Sequence, residues 1–215
     1  MLNLSFSELL TIIPAILIGL TIHELSHSYV ALLLGDDTPK RLGRLTLNPI
    51  KHIDPIGFIL LLIAGFGWAK PVSINRENLK YPRRDDILIS LAGPVSNLFF
   101  AIFLVILLKV VILVVPFRSA STFDLILSVF ISFLTINIVL AIFNLLPIPP
   151  LDGSHVILNL LSLKSRSISA TYFKYGSIAL IVIVVLDRFT DVDLLPIGRV
   201  MISIVDGLFR LFSVF

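Results

Sequence analysis

LLTIIPAILIGLTIHELSHSYVALLL, residues 9–34, is apolar except for a few hydroxyl side chains and the trio His23, Glu24 and His27. As a helix rising 1.5 Å per residue, this run exceeds the roughly 30 Å of a bilayer's hydrocarbon core. An ionisable side chain at that depth costs about 2.5–3.5 kcal/mol on insertion scales, so three of them need a compensating partner. A metal ion is such a partner. The pattern His-Glu-x-x-His puts two imidazoles on one helical face, where both reach a single zinc, with the glutamate beside them as a base. The bland alternative is a chance grouping whose members pair with polar groups on other helices.

The rest of the chain agrees with a membrane setting. Of 215 residues, 57% are hydrophobic and 14% charged, and the mean hydropathy is +1.03, far too apolar for an ordinary soluble domain. The polar connections are too short to fold separately, so one membrane-embedded domain over residues 1–215 is expected. With no cysteine, disulfides and thiolate metal sites are excluded and any metal must be held by His, Asp or Glu. The first apolar segment lacks a basic leader and is too long for a cleaved signal, so it is expected to stay.

Ser5 and Glu8 form a capping-box pattern and Gly35 a terminator, predicting a helix over Phe6–Leu34 with a kink at Pro14. Residues 36–55 are polar, basic and turn-rich, with a short strand expected at Arg44–Leu47. Residues 56–64 are apolar but too few to span. They lead into Gly65–Ile74, which reads as a re-entrant or interfacial loop followed by a strand. Helices are expected over Asp85–Val115, Phe123–Leu145, a short stretch to Leu163, Tyr172–Leu186 and Pro196–Phe212. The fold class is therefore an all-α integral membrane bundle of about five to six membrane segments, with a short β or re-entrant element between its first two core helices.

Basic residues orient it. The segment 35–84 carries nine (Lys40, Arg41, Arg44, Lys51, Lys70, Arg76, Lys80, Arg83, Arg84), and the connection near Lys164, Arg166 and Lys174 carries three. The connections at 116–121 and 187–193 hold only Arg118 and Arg188. By the positive-inside rule the N-terminus is extracytoplasmic, the C-terminus cytosolic, and the trio nearer the cytosolic face of a cell membrane. The net charge of +3 thus reports topology, with anionic lipid contact as a secondary effect and no nucleic-acid partner.

A catalytic zinc takes three protein ligands and keeps one open position. The strongest candidate for the third ligand is Asp152 in Asn144-Leu-Leu-Pro147-Ile-Pro-Pro-Leu-Asp152-Gly153, where prolines interrupt an apolar helix and free backbone groups at membrane depth. Capping the helix after the break is an equally available role for Asp152. Asn144 could simply satisfy backbone freed by Pro147. Gly93 and Asn97 read as helix-packing residues, Trp68 as an interfacial anchor, and His52 and His155 as polar residues near the cytosolic boundary, outside the ligand set.

Taken together, these motifs resemble the site-2 protease family of intramembrane zinc metalloproteases in its compact form, without the PDZ or nucleotide-sensing modules of many relatives. His23-Glu-Leu-Ser-His27 and Asn144–Gly153 match its two site motifs; Gly93-Pro-Val-Ser-Asn97, Leu47–Gly57 and Gly67–Val72 match intervening ones, so the likeness lies within residues 10–163. The resemblance implies one Zn2+ per chain held by His23, His27 and Asp152, Glu24 as general base and acid, and Asn144 as the group that binds the substrate carbonyl. It also implies cleavage in or next to the transmembrane helix of a single-pass substrate, as in regulated intramembrane proteolysis. Such a helix must unwind before attack, and the stretch containing Gly67, Trp68, Val72 and Ile74 is the candidate edge to receive it as an added strand. The reading from another class is a zinc-binding scaffold or transporter without hydrolysis. Glu24 argues against it, since a glutamate that does not ligate has little reason to sit beside a closed site.

Overall fold

The computed structural model describes residues 5–64, 67–116, 119–161, 166–189 and 194–213. Gly65, Leu163, Lys164 and Arg118, used in the expectations above, lie outside them. Eight α-helices are present among the described residues: α1 (Phe6–Leu33), α2 (Thr38–Arg41), α3 (Pro55–Ala64), α4 (Pro82–Val114), α5 (Ala120–Asn144), α6 (Asp152–Leu160), α7 (Arg166–Phe189) and α8 (Ile197–Leu211).

The ends of these helices follow local chemistry. The Ser5 side chain accepts from the Glu8 amide while the Glu8 carboxylate accepts from the Ser5 amide, which completes the expected capping box. At the other end Gly35 adopts φ +108, with Gly35 N–H on the Leu32 carbonyl and Asp36 N–H on that of Ala31. This is a Schellman ending, which a β-carbon would strain. Helix α4 starts three residues earlier than expected because Pro82 suits the first turn, where its missing N–H is not needed. Ser119 caps α5 in the same way that Ser5 caps α1.

Helices α1, α4 and α5 pack on one another, α6 lies on α4 and α8 on α5. A dry cluster of Ala101, Val105, Leu108, Leu134 and Ile138 joins α4 to α5, and the apolar face of α8 covers it with Met201, Ile204, Val205 and Leu208. The Lys109 ammonium donates to the Phe212 carbonyl at the end of α8, a cation placed where the helix dipole is negative. Helix α7 meets the rest through Tyr172 Oη on the Pro147 carbonyl, Phe173 against the His155 ring, and Gly176 against Pro149.

Among the described residues four helices are long and apolar enough to cross a membrane: Glu8–Leu33, Pro82–Val114, Ala120–Asn144 and Ala170–Asp187. Five to six segments were expected. The difference lies in α3 and α8, with 10 and 15 residues, which fall short of the roughly 20 needed to span. The expected strands are likewise not formed among the described residues. Only one antiparallel bridge, Ile53 with Ala69, stands in this region. At Arg44–Leu47 the chain bends instead, because the buried Arg44 guanidinium holds it inward by donating to the carbonyls of Lys51, Lys70 and Pro71.

The connection after α1 is tied down by Asp36. Its carboxylate accepts from the amides of Thr38 and Asn75 and from the Asn78 side chain. Burial by itself raises the Asp36 carboxyl, but the hydrogen bonds from Thr38, Asn78 and Asn75 outweigh it, and the pKa lies below the ordinary carboxylate value. A carboxyl that titrates lower when folded contributes stability above its unfolded pKa of about 3.9 and loses it as pH falls through the folded value. Thermal melts in detergent from about pH 6 downward should therefore show stability declining at the acid end. Asp36→Asn should lower the neutral melting temperature and flatten that decline; an unchanged acid limb in the variant would refute the assignment.

Candidate metal centre

Helix α1 presents His23 and His27 on one face, four residues apart, with their rings edge to face and 4.7 Å between centroids. Both are buried. Each ring uses Nδ1 to reach α4: His23 Nδ1 lies 2.7 Å from Asn97 Oδ1, and His27 Nδ1 lies 2.7 Å from the Ile89 carbonyl. Both partners are acceptors, so in the neutral rings both Nδ1 atoms carry hydrogen and both Nε2 atoms present bare lone pairs.

Those lone pairs face Asp152. Its Oδ2 lies 3.0 Å from His23 Nε2 and 3.4 Å from His27 Nε2, and it is buried without a hydrogen-bond partner. The three atoms lie within 4.8 Å of one another. Tetrahedral ligands at zinc bond lengths sit about 3.3 Å apart, so the spacing suits that ion. Three electron-rich atoms drawn together in a low-dielectric interior, with no donor among them, repel unless a cation lies between them. The residues present therefore fit a zinc ion.

The position of Asp152 separates its two available roles. The N-cap of α6 is Leu151, and no side chain caps that end. Asp152 stands one residue further on, in the first turn, with its carboxylate turned to the histidines. Gly153 lets this happen: a β-carbon there would press into the carbonyls of Leu145 and Leu146, so a larger residue would push α6 off the end of α5.

Helix α4 backs the whole centre with one stripe. Ile89 and Asn97 take the two Nδ1–H groups, and between them Gly93 leaves room for the rings. A β-carbon at Gly93 would stand 2.5 Å from His27 Nε2 and 2.6 Å from His23 Nε2. At the N-terminal end of the stripe Asp86 accepts from Asn159 on α6 and from Arg76, which ties the helix bearing Asp152 to α4. His155 lies beside this pair, 3.9 Å from Asp86, and makes no bond to Asp152. His52 is fully buried in the loop after α2, its Nε2 on the Thr46 carbonyl, remote in role from the centre.

A cavity of about 1040 Å³ opens onto these ligands. Glu24 and Asn144 line it, as do Gly67, Trp68, Val72 and Ile74 from the segment after α3, and Phe143, Leu180 and Ile181 from α5 and α7. The Asn144 amide donates to the Leu140 carbonyl, which leaves its oxygen and second hydrogen free. Pro147 sits on the turn between α5 and α6, outside the lining. The sequence suggested Gly93 and Asn97 as helix-packing residues; it did not show Asn97 and the Ile89 carbonyl as partners of the rings. The available signal was a polar residue four positions after Gly93 in an otherwise apolar helix; a backbone carbonyl leaves no signal at all.

A metal centre of the His-Glu-x-x-His type, sunk among membrane-crossing helices and completed by a distant aspartate, defines a class of membrane metallopeptidase. The family description "Peptidase family M50" matches residues 108–186, which include Asn144 and Asp152. Three relatives carry names of the form "Putative zinc metalloprotease". YwhC of Bacillus subtilis (strain 168) is 42% identical over 207 residues, covering 94% of this chain and 90% of that protein. Rip2 of Mycolicibacterium smegmatis is 33% identical, covering 66% and 54%, and MJ0611 of Methanocaldococcus jannaschii is 32% identical, covering 71% and 73%. No solved structure matches. The chain belongs to peptidase family M50, the site-2 protease family.

Gly93→Ala tests the packing of the rings. It should weaken zinc binding by about tenfold or more in chelator competition, comparable to losing an outer partner of a ligand, while the protein still melts cooperatively. Wild-type affinity in this variant would mean the rings are not held against α4.

Proposed function

We propose that this protein is an intramembrane zinc endopeptidase that hydrolyses a peptide bond in or next to the transmembrane helix of a single-pass, membrane-anchored substrate. The observation that carries the reading is the set of three bare lone pairs from His23, His27 and Asp152, with Glu24 beside them, opening onto a mainly apolar cavity. Zinc bound there supplies Lewis acidity, making water ionisable near neutral pH and polarising a carbonyl. Glu24 takes a proton from the attacking water and passes it to the departing amine. The water oxygen joins the acyl carbon, the C–N bond breaks, and a carboxylate and an amine leave. Asn144 directs its second amide hydrogen to the substrate carbonyl oxygen as charge develops there.

The segment after α3 receives the unwound substrate. On one side it is held by the Ile53–Ala69 bridge and by Lys70 N–H on the His52 carbonyl. The backbone N–H and C=O groups of Val72, Ser73 and Ile74 have no hydrogen-bond partner among the described residues, and Val72 and Ile74 line the cavity. A peptide added along this edge gains backbone hydrogen bonds in place of those lost on unwinding. Gly67 and Trp68 form the start of the same wall.

Counting α3, as a re-entrant or interfacial segment, and α8 alongside the four long helices brings the membrane-embedded segments to five or six. The basic connection between α1 and α4 supports an orientation with the metal centre nearer the cytosol, the N-terminus outside and the C-terminus inside, with lipid headgroups as neighbours of the basic loops. Nothing in this charge pattern calls for a nucleic acid.

Cleavage of a single-pass substrate by purified protein, followed by mass spectrometry, tests the reading. Glu24→Gln should keep about one zinc per chain yet lose at least about 100-fold in cleavage rate, as expected for a general base. His27→Ala should lose zinc as well. Undiminished cleavage by Glu24→Gln would overturn the mechanism. For the edge, Val72→Pro or Ile74→Pro should cut cleavage with zinc content unchanged, and full activity in both would place substrate binding elsewhere.

A further inference from the structure

We propose that Asn137, a residue of α5 outside the ligand trio and the cavity lining, is a positioning residue that decides which nitrogen of His23 is left bare for a metal. The inference rests on the metal-centre reading above and adds to it a component that neither motif contains.

Asn137 is fully buried, as is Asn97. Two backbone carbonyls set the direction of every hydrogen bond between them, because a carbonyl oxygen only accepts. The Phe133 carbonyl lies 2.8 Å from one end of the Asn137 amide, so that end is Nδ2 and the other, Oδ1, faces Asn97. The Gly19 carbonyl lies 3.1 Å from one end of the Asn97 amide, so that end is Nδ2. Its second hydrogen goes to Asn137 Oδ1 at 2.8 Å. Asn97 Oδ1 is then the atom that faces His23, and His23 Nδ1, 2.7 Å away, must carry the hydrogen. The outcome is a bare Nε2 directed at Asp152.

The bland account of Asn137 is a polar residue that satisfies itself on the carbonyl one turn back. That explains its Nδ2 and leaves its oxygen, aimed at Asn97, without a reason. With an apolar residue at 137, one Asn97 hydrogen would be orphaned in the interior. The amide would turn to recover a partner and carry Oδ1 off the His23 ring. The imidazole would then be free to hold its hydrogen on Nε2, the form that does not bind a metal there.

The test uses the full-length protein in detergent with Asn137→Leu and Asn137→Asp. Leucine keeps the volume and removes the acceptor; aspartate keeps the acceptor. Two readouts are taken: zinc affinity by chelator competition, and the His23 tautomer by 15N NMR of the metal-free protein, assigned with a His23→Asn control. Asn137→Leu should weaken zinc binding about tenfold and give His23 a measurable Nε2–H population, while Asn137→Asp should stay near wild type in both. If the buried aspartate prevents folding, Asn137→Thr replaces it, since its hydroxyl donates to the Phe133 carbonyl and accepts from Asn97. Wild-type zinc affinity and tautomer in Asn137→Leu would overturn the proposal, as would a larger loss with the acceptor-retaining variant than with leucine. A wild-type protein that binds no zinc would instead strike the metal-centre reading, and the tautomer measurement would still decide the role of Asn137.

Discussion

Mutual repulsion among three lone pairs governs this molecule. His23 Nε2, His27 Nε2 and Asp152 Oδ2 converge from two helices far apart in sequence, and the outward nitrogens of both rings are already committed to acceptors on α4. In water such a cluster would disperse into solvent. Within a helix bundle embedded in lipid it has no such escape, and a divalent cation at its centre turns the largest unfavourable term into a favourable one. Much of the surrounding architecture serves to hold these three atoms at that separation.

Helix α4 does most of the holding. Along one stripe it fixes His27 by a carbonyl, makes room for both rings at a glycine, fixes His23 through Asn97, and ties down α6 through Asp86. The proline-broken end of α5 does the rest: it turns the chain so that α6 begins with Asp152 facing the histidines. Glu24, Asn144 and the unpaired edge at Val72–Ile74 line one cavity beside this break. Rigid backing on one side and an open, apolar approach on the other are the two properties a buried hydrolytic site needs.

The residues of the centre were legible in the sequence because each violates its surroundings. Ionisable side chains in an apolar helix and a carboxylate after a run of prolines stand out without a structure. The long helices were legible for a related reason, since lipid leaves the backbone few alternatives. What the sequence hid was relational. Asn97 and Asn137 look like ordinary tolerated polar residues until helix packing brings them into line with His23, and the Ile89 carbonyl has no side-chain signature. The expected strand at Arg44–Leu47 did not form because a local reading of sequence says nothing of where an arginine's donors will go. Here they hold three carbonyls and curl the chain. Segment count was least legible at α3 and α8, where apolar character is plain but neither is long enough to span by itself.

Zinc K-edge X-ray absorption of the detergent-purified protein, native and Asp152→Ala, tests the central claim most directly. The native spectrum should show two imidazole nitrogens at about 2.0–2.1 Å with oxygen donors at about 2.0–2.2 Å. Asp152→Ala should lose the zinc or the carboxylate contribution to its first shell. A native spectrum without imidazole scattering, or one unchanged by removal of Asp152, would contradict the account.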